Sequence, residues 1–395
     1  MKQPAIRFAL TTLIISLLVP ACIAKPTTCK DPLGCVLVPN KGPIKISVLL
    51  TLTGPDSPYG IDALRGVEIA LAEQPEVAGH PVQLEQVDDL CTAEGGEKGA
   101  TQIAADPAIV GVIGTSCSSS SVPAAKILSE AGMVMISPSS TAPSLTAPDK
   151  HQPGFFRTIY NDRAQGKAVA DFAYHVLGLR SMSTIDDGTP YSMELTAAAC
   201  EDFKKLGGAC LGQVEIQTGS DLSAKMLWLQ KLDTDVLYLP VYTVDGVNIV
   251  QQVAEKGIRS ALISSDGLLS TDFIEKTADL TEGMYLSGPA PVPEPAAFLE
   301  KFRAQYGGDP GAAYHLQAYD AARILLAAIE KAAVPGSSRD GSIFIQRQAL
   351  RDAIQQVRGL TGLSGLLTCS EFGDCAQPKI EIFQIRERQF IPIYP

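Results

Sequence analysis

A run of small hydroxyl side chains precedes one predicted helix. Residues 114–121 are Gly-Thr-Ser-Cys-Ser-Ser-Ser-Ser, and the pattern after them predicts a helix over Val122–Glu130. A helix N-terminus presents free backbone N–H groups and the positive end of the helix dipole, which suit a carboxylate. Serine hydroxyls add further donors there. A single serine is enough to cap a helix, so capping alone leaves the other serines unexplained, and the run predicts an anion site.

A carboxylate in another loop would complement this anion site. Asp266 precedes Gly267 directly after a predicted buried strand, a position in which aspartate also serves as an ordinary turn residue. If Asp266 instead pairs with an ammonium group, the serine run and Asp266 together would recognise a zwitterion. Tyr59, Tyr191 and Tyr242 stand in equivalent loops, which suggests an amphipathic wall around an organic ligand.

Alternating strand and helix patterns would position these side chains. The first series predicts strands at 44–50, 82–87, 109–113 and 134–136 and helices at 61–72, 94–105 and 122–130. The second, after Phe155–Arg157, predicts strands at 181–185, 212–216, 236–239, 261–263 and 283–286 and helices at 164–176, 193–205, 224–232, 244–255, 295–305 and 314–332. Such alternation predicts parallel sheets covered by helices. Ligands bind beyond the carboxyl ends of parallel strands, where the serine run, Asp266 and the three tyrosines lie.

The predicted fold class is α/β, with two doubly wound lobes joined by a hinge. A chain of 395 residues is too long for one core and sufficient for two. The predicted division is a signal peptide over 1–21, a tether over 22–43, lobe 1 over 44–160 and 288–363, and lobe 2 over 161–287 and 364–395. Each lobe is discontinuous, so the chain crosses the hinge more than once.

Composition and missing motifs exclude several classes of function. The net charge is −11 and no Lys/Arg cluster occurs, which excludes a nucleic-acid partner. Gly-x-Ser-x-Gly and Gly-rich phosphate loops are absent from the sequence, and no histidine stands near the serine run to act as a base. The histidines show no ligand spacing and Cys-x-x-Cys is absent. We therefore expect a protein that is not an enzyme and uses no metal or cofactor.

The N-terminal segment predicts export. Basic side chains at residues 2 and 7 flank an apolar run over 8–19 that is typical of a secretory signal peptide. The run ends in Val-Pro-Ala-Cys at 19–22, which resembles a bacterial lipobox whose cysteine receives lipid. The alternative is ordinary signal cleavage, with Cys22 as a plain half-cystine. The lipobox predicts an exported protein that is anchored on the extracytoplasmic, periplasmic side of a lipid membrane through Cys22.

The remaining cysteines agree with export. Removing Cys22 from the nine cysteines leaves an even number, which group as the sequence neighbours Cys29/Cys35, Cys91/Cys117, Cys200/Cys210 and Cys369/Cys375. Exported compartments permit such bridges. Eight cysteines allow many connectivities, so at this stage neighbour pairing is one alternative among them.

Several loops match a known family in their order and separation. The matching motifs are Thr53-Gly54-Pro55 with Tyr59-Gly60, Asp88-Asp89-x-Cys91, Val112-Ile113-Gly114 through Cys117-Ser118-Ser119-Ser120, Met135-Ile136-Ser137-Pro138, Thr141-x-Pro143-x-Leu145-Thr146 and Glu282-Gly283. With them the chain resembles the branched-chain amino-acid-binding (leucine/isoleucine/valine) family of type I periplasmic binding proteins, which serve ABC transporters. The resemblance covers residues 44 to about 330 and fades after about residue 335.

The resemblance implies a role for each loop. Ser118 would bind a ligand carboxylate through its hydroxyl and N–H, and Thr141 would contact both ends of an α-amino-acid group. The Ser139 carbonyl would accept from the ammonium, and Asp266 stands where the family places an acidic residue against it. The resemblance further implies pocket aromatics and a disulfide, namely Tyr59, Tyr191, Tyr242 and Tyr314, and Cys91–Cys117.

The resemblance also implies a function. The lobes would close like a hinge on an amino acid or similar small zwitterion and deliver it to the permease of an ABC transporter. Two departures count against leucine as the ligand: Ser116 replaces a leucine of the branched-chain binder, and Pro240-Val241 replaces a glycine pair. The alternative from another class is a sensor of the same fold that signals to a regulatory partner without transport.

Overall fold

The computed structural model describes residues 28–336 and 340–395. The predicted signal peptide, the predicted lipidation site Cys22 and the first residues of the predicted tether lie outside these residues. Within them, no helix has both the length and the apolar character needed to span a bilayer.

The described strands and helices alternate along the chain. The strands are β1 (Cys35–Val38), β2 (Ile44–Leu50), β3 (Glu76–Val77), β4 (His80–Asp88), β5 (Ile109–Gly114), β6 (Met135–Ser137), β7 (Phe155–Arg157), β8 (Ser181–Asp186), β9 (Ala209–Glu215), β10 (Val236–Tyr238), β11 (Ala261–Ser264), β12 (Tyr285–Pro289), β13 (Ala333–Pro335), β14 (Ile343–Gln346), β15 (Leu360–Thr361), β16 (Leu366–Leu367), β17 (Ile380–Arg386) and β18 (Gln389–Tyr394). The helices are α1 (Ser57–Glu73), α2 (Ala93–Ala104), α3 (Ser118–Glu130), α4 (Asp162–Asp171), α5 (Pro190–Lys205), α6 (Ser223–Leu232), α7 (Thr243–Lys256), α8 (Thr271–Thr277), α9 (Ala296–Tyr306), α10 (His315–Ala332) and α11 (Arg347–Gln355).

The first lobe is a six-stranded sheet with helices on both faces. Its strand order is β3-β4-β2-β5-β6-β7, and every pairing except that of the short β3 is parallel. Strand β2 is apolar almost throughout because both of its faces are buried. Ile46 and Val48 pack with α1 and α10, whereas Leu49 on the opposite face packs with α2 and α3.

The second lobe is a seven-stranded sheet of the same construction. Its strand order is β18-β17-β12-β11-β10-β8-β9, with β8 to β12 parallel and the C-terminal β17 and β18 antiparallel. Helices α4 and α5 cover one face, and α6, α7 and α8 cover the other. The fold is therefore α/β with two doubly wound lobes, as the alternation in the sequence predicts.

The predicted strands and helices are present within a few residues of their expected bounds, whereas β1, β3, β7, α8, α11 and every strand after α10 were not predicted. β2 has the predicted bounds, and most helices begin a few residues earlier than predicted because their first turns are polar. The helix predicted over 164–176 changes to a π-helical turn at Phe172–Val176. β7 was not predicted as a strand, and β12 extends to Pro289 rather than ending at residue 286.

The described part of the predicted tether is folded against lobe 1. β1 pairs antiparallel with β14 in a three-stranded sheet that also contains β13. The Asp31 carboxylate accepts hydrogen bonds from the backbone N–H groups of Gln348 and Ala349 at the start of α11. The segment therefore differs from an unstructured tether. These contacts join residues more than 300 positions apart, which local sequence patterns do not reveal.

The C-terminal crossing between the lobes also lies elsewhere than predicted. Residues 364–378 were expected in lobe 2, but the backbone N–H of Arg157 on β7 donates to the Gly373 carbonyl. The buried Arg157 guanidinium pairs with Asp374 at 2.5 Å, and the Arg157 carbonyl accepts from the Cys375 N–H. This segment accordingly packs on lobe 1, and the chain enters lobe 2 only just before β17.

The described cysteines form four disulfides, and each joins sequence neighbours. The pairs are Cys29–Cys35, Cys91–Cys117, Cys200–Cys210 and Cys369–Cys375. The structure thus selects the neighbour pairing from the connectivities that the sequence leaves open.

Candidate functional site

The loops after β2, β4 and β5 meet on one buried carboxylate. Asp89 accepts hydrogen bonds from the Thr51 hydroxyl at 2.5 Å, the Ser116 N–H at 2.9 Å and the Cys91 N–H at 2.8 Å. Gly114 has a φ of 142°, and a side chain there would collide with the backbone carbonyl of Leu49. Asp89 and Gly114 therefore hold the serine run in place at the edge of the sheet.

The structure begins α3 at Ser118, four residues earlier than predicted. The N–H groups of Ser118 and Ser119 are in the first turn, where helical N–H groups have no partner within the helix. Most hydroxyls of the run bond to the protein itself: Ser119 donates to the Cys91 carbonyl and Ser121 to Ser140. Ser118 Oγ accepts from the Ala142 N–H at 3.1 Å, which leaves its own proton free to donate.

Asp266 is a buried carboxylate that is bonded to three other side chains in the cleft. It is 2% exposed and accepts from the Tyr191 hydroxyl at 2.7 Å, the Tyr314 hydroxyl at 2.9 Å and the Gln165 amide at 3.0 Å. Burial raises the pKa of Asp266, and these hydrogen bonds oppose that rise. These bonds from several elements show that Asp266 is more than an ordinary turn residue.

A second buried carboxylate, Asp162, lies next to this cluster. Asp162 is the first residue of α4 and is fully buried, and neither of its carboxylate oxygens has a hydrogen-bond partner among the described residues. Burial and then the charge of Asp266 raise the pKa of Asp162 well above the usual range. Arg157, which lowers the pKa of Asp162, is already paired with Asp374.

Asp162 was missed by the sequence analysis. Asp162 follows β7, whose carboxyl end lies at the same edge of the sheet as the other site loops. A prediction of Phe155–Arg157 as a strand would have made Asp162 a candidate site residue. Nearby hydroxyls share its lack of partners: Thr141 Oγ1 and the Tyr160 hydroxyl are buried without a hydrogen bond in the described structure. The surroundings of Asp162 and Asp266 thus offer acceptors and hydroxyls but no unpaired cation.

Aromatic rings from both lobes enclose the space beside Asp266. The Tyr59 hydroxyl on α1 donates across the cleft to the Gly267 carbonyl at 2.7 Å. Tyr191 and Tyr242 stack with ring centroids 5.2 Å apart, and Tyr59 and Tyr314 meet edge to face at 5.9 Å. The lobes are therefore closed around an aromatic-walled cleft.

The structure brings the residues predicted for the site together. Six line one small cavity together with Ser116, Cys117 and Gly267, namely Tyr59, Ser139, Tyr191, Tyr242, Asp266 and Tyr314. The other two, Ser118 and Thr141, flank it: Ser118 follows the cavity-lining Cys117, and the Ser118 hydroxyl bonds to the residue after Thr141. The free volume of this cavity is only about 10 Å³, so the side chains nearly fill the space between the closed lobes.

This architecture, with a polar cleft between two similar lobes, has a counterpart among known families. The family of periplasmic binding proteins matches the chain over residues 43–386. The chain belongs to this family. The match continues well past residue 335, where the motif resemblance in the sequence fades.

Individual relatives agree with this assignment. The Leu/Ile/Val-binding protein homolog 3 of Brucella melitensis is 27% identical over 346 residues, which cover 86% of this chain and 91% of the relative. The Leu/Ile/Val-binding protein of Escherichia coli is 26% identical over 301 residues, 74% of this chain and 80% of the relative. A leucine-binding protein LivK from Thermotoga maritima has a solved structure with a TM-score of 0.80 at 27% identity, covering 89% of this chain and 97% of the other.

Membership in the family confirms two further expectations. Periplasmic binding proteins bind substrates and are not enzymes, and they act outside the cytoplasm. The four disulfides are consistent with an oxidising, extracytoplasmic compartment.

Proposed function

We propose that this protein is the extracytoplasmic substrate-binding lipoprotein of an ABC transporter and that it captures an amino acid or similar small zwitterion between its lobes. The observation that carries the proposal is the pair of buried carboxylates Asp162 and Asp266, which has no unpaired cation beside it among the described residues. Burying charges without compensation is costly. An ammonium from the ligand would supply the missing positive charge.

The opposite end of the ligand would bind lobe 1. The N–H groups of Ser118 and Ser119 and the positive end of the α3 dipole suit a carboxylate, and the Ser118 hydroxyl has a proton to donate. Thr141 would contact both ends of the α-amino-acid group, and the Ser139 carbonyl would accept from the ammonium. The aromatic residues Tyr59, Tyr191, Tyr242 and Tyr314 would form the wall around the ligand.

The relatives support this class of ligand. The similar proteins from Brucella melitensis, Escherichia coli and Thermotoga maritima are named for leucine or for leucine, isoleucine and valine. We propose that this chain shares their recognition of the α-amino-acid group, and that Cys22 carries lipid that holds the protein near its permease.

Chemical blocking of the ligand tests the proposal. Mass spectrometry of ligand retained after gentle purification identifies the amino acid, and calorimetry then compares it with its N-acetyl and methyl-ester derivatives. We expect both derivatives to bind at least roughly 30-fold more weakly, since the N-acetyl derivative leaves the buried Asp266 without a cation and the methyl ester removes the anion from the N–H groups of α3. Equal binding of the N-acetyl derivative would exclude an ammonium at Asp162 and Asp266.

Lipidation is tested separately on protein from native membranes. Mass spectrometry of the N-terminal peptide should show a diacylated Cys22. A soluble chain with an unmodified N-terminus would refute the anchor while leaving the ligand proposal intact.

A further inference from the structure

A second cavity lies beside the chain crossing from β12 to α9. Its free volume is about 280 Å³, compared with about 10 Å³ for the cavity beside Asp266. The two cavities have no lining residue in common. The second cavity is therefore a different space from the site of the proposed function.

Both lobes form the walls of this cavity. Its lining residues are 310–313 and 315–317 of lobe 1, 289–292 and Glu294 of the crossing, and 269–271, Phe383 and Phe390 of lobe 2. We call the space that these residues enclose the hinge cavity. Opening of the hinge must change the shape of the hinge cavity, because its walls belong to both lobes.

Most of the lining of the hinge cavity is apolar. The rings of Phe383 and Phe390 and the side chain of Leu269 line it together with prolines and alanines of the crossing and of the segment before α10. An apolar cavity of ~150 Å³ is large enough to hold benzene, so the hinge cavity has room for a ring with a short substituent. A mostly apolar lining with a few polar groups is typical of small-molecule sites.

The polar part of the hinge cavity keeps a negative charge. The His315 ring bonds to two carboxylates, with Nδ1 3.0 Å from Asp62 and Nε2 3.2 Å from Glu294. One imidazolium neutralises only one of these carboxylates, and the described lining contains no lysine or arginine. The hydrogen bond to His315 uses Glu294 Oε1, and Glu294 Oε2 has no hydrogen bond within the described residues. Glu294 therefore offers a charged acceptor to a ligand.

The hinge cavity adjoins the residues that hold Asp266. A Cβ atom added at Gly288 of β12 would lie 2.3 Å from Leu269 Cδ1 and 3.5 Å from Asp266 Cβ. The cavity-lining Leu269 and the site residue Asp266 thus pack on the same backbone position. Ala313, another lining residue, immediately precedes Tyr314, whose hydroxyl donates to Asp266 at 2.9 Å. A ligand in the hinge cavity would therefore contact the supports of the cleft carboxylate.

We propose that the hinge cavity is a second ligand site, which takes a small organic amine with a compact apolar body. The apolar body packs against Phe383, Phe390 and the prolines of the crossing, and the ammonium bonds to Glu294 Oε2. This inference goes beyond the proposed function, because the hinge cavity contains no residue of the cleft site. An occupant that touches both lobes also stabilises the closed arrangement in which this cavity is formed.

A matched pair of probes tests the charge preference on the wild-type protein. Benzylamine and benzyl alcohol have the same shape, but only benzylamine carries a charge at neutral pH. We expect benzylamine to bind about 3- to 10-fold more tightly, a modest factor because Glu294 is partly exposed to solvent. Titrations followed by ligand-observed nuclear magnetic resonance measure both affinities. Equal affinity, or no binding of either probe, would overturn the inference.

A variant of the cleft separates the two sites, since the proposed function also places an ammonium there. Asp266→Asn removes the charge proposed to hold the amino acid, and this variant should bind benzylamine with little change. Loss of benzylamine binding in Asp266→Asn would place the probe in the cleft and overturn the inference. Binding of benzylamine to a wild-type protein that binds no amino acid would overturn the proposed function and support the hinge site.

Substitutions in the hinge cavity then locate the probe. Ala312→Phe places a ring in the cavity and should abolish benzylamine binding. Glu294→Gln keeps the shape of the side chain and removes its charge, so the two probes should bind this variant equally. Glu300→Gln is the matched control and should keep the preference, because Glu300 is exposed on α9 and does not line the cavity. Benzylamine binding that neither cavity variant changes would overturn the site. If Ala312→Phe fails to fold, the two glutamine variants still decide.

Discussion

At the scale of single residues, lobe 2 contributes the carboxylate of Asp266 to the site, whereas lobe 1 contributes neutral hydroxyl and N–H groups at Ser118. The buried carboxylate of Asp266 accepts hydrogen bonds from Tyr191, Tyr314 and Gln165. Ser118 contributes one hydroxyl beside backbone N–H groups that any residue would supply. The two side chains should therefore differ in their importance for binding.

Asp266→Asn should weaken binding of the amino acid roughly 30-fold to several-thousand-fold, because the variant leaves the buried ammonium without its charged partner at a cost of ~2–5 kcal/mol. Ser118→Ala should lose only about 1.5–3 kcal/mol, since the N–H groups remain. Calorimetric titration of both variants measures the difference. Wild-type affinity in Asp266→Asn would contradict the proposed amine recognition.

His315 provides a second residue-scale prediction, which concerns stability. It is buried between Asp62 of α1 at 3.0 Å and Glu294 at 3.2 Å. Burial lowers its pKa, but the hydrogen bonds and charges of these two carboxylates outweigh burial and raise the pKa to about 9. A histidine with a raised pKa stabilises the fold fully below its unfolded pKa of about 6.5, and the contribution disappears as pH rises through about 9.

His315→Gln should therefore destabilise the protein by roughly 3 kcal/mol at pH 6 and progressively less toward pH 10. Thermal unfolding of both proteins across this pH range measures the change. A difference in midpoint that stayed constant from pH 6 to pH 10 would show that His315 acts through packing rather than through charge. Comparing the two proteins at each pH removes the effects of other titrating groups.

At the scale of elements, two disulfides have different relations to the site. Cys91–Cys117 joins the loop after β4 to the N-cap of α3, beside the proposed carboxylate site. Cys200–Cys210 joins α5 to β9, which is the edge strand of the second sheet at the end opposite β18. Removing either should reduce stability, whereas only the first should also disturb ligand binding.

Replacing Cys91 and Cys117 together by alanine should lower the free energy of unfolding by ~2–4 kcal/mol and weaken amino-acid binding, because the N–H groups of α3 lose their fixed position. The matched control replaces Cys200 and Cys210 and should lose stability with unchanged affinity. Chemical denaturation and calorimetry on both variants measure the two quantities. Equal loss of affinity in the two variants would argue against a specific role for the first bridge.

At the scale of the whole molecule, the lobes meet through few polar contacts. Tyr59 reaches the Gly267 carbonyl, Tyr314 reaches Asp266, and the Ser144 N–H donates to Glu194 on α5 at 2.8 Å. The cavity beside Asp266 is lined by side chains of both lobes, namely Tyr59, Ser139 and Tyr314 of lobe 1 and Tyr191 and Tyr242 of lobe 2. A ligand that touches both lobes therefore favours the closed form.

Small-angle scattering should accordingly show a smaller radius of gyration with saturating amino acid than without it. Tyr59→Phe removes one hydrogen bond between the lobes and should weaken binding of the amino acid only about 2- to 10-fold. This variant should therefore still close when the amino acid is saturating. An identical radius with and without a verified ligand would contradict hinge closure.

Periodicity along the chain predicted most of the strands and helices before residue 332 and most of the loops that surround the cleft, but it predicted neither α8 nor α11 nor the strands after α10. Strand and helix periodicities are local, so the alternation predicted two parallel sheets, and their carboxyl-end loops contained Ser118, Thr141 and Asp266. Local patterns do not show which distant segments come into contact, because those contacts form only in the tertiary structure. Asp162 lies 104 positions before Asp266, and Tyr59 meets the Gly267 carbonyl only because two separately folded lobes close. The same reason places residues 364–378 on lobe 1, since the buried Arg157 selects Asp374 as its partner across more than 200 positions.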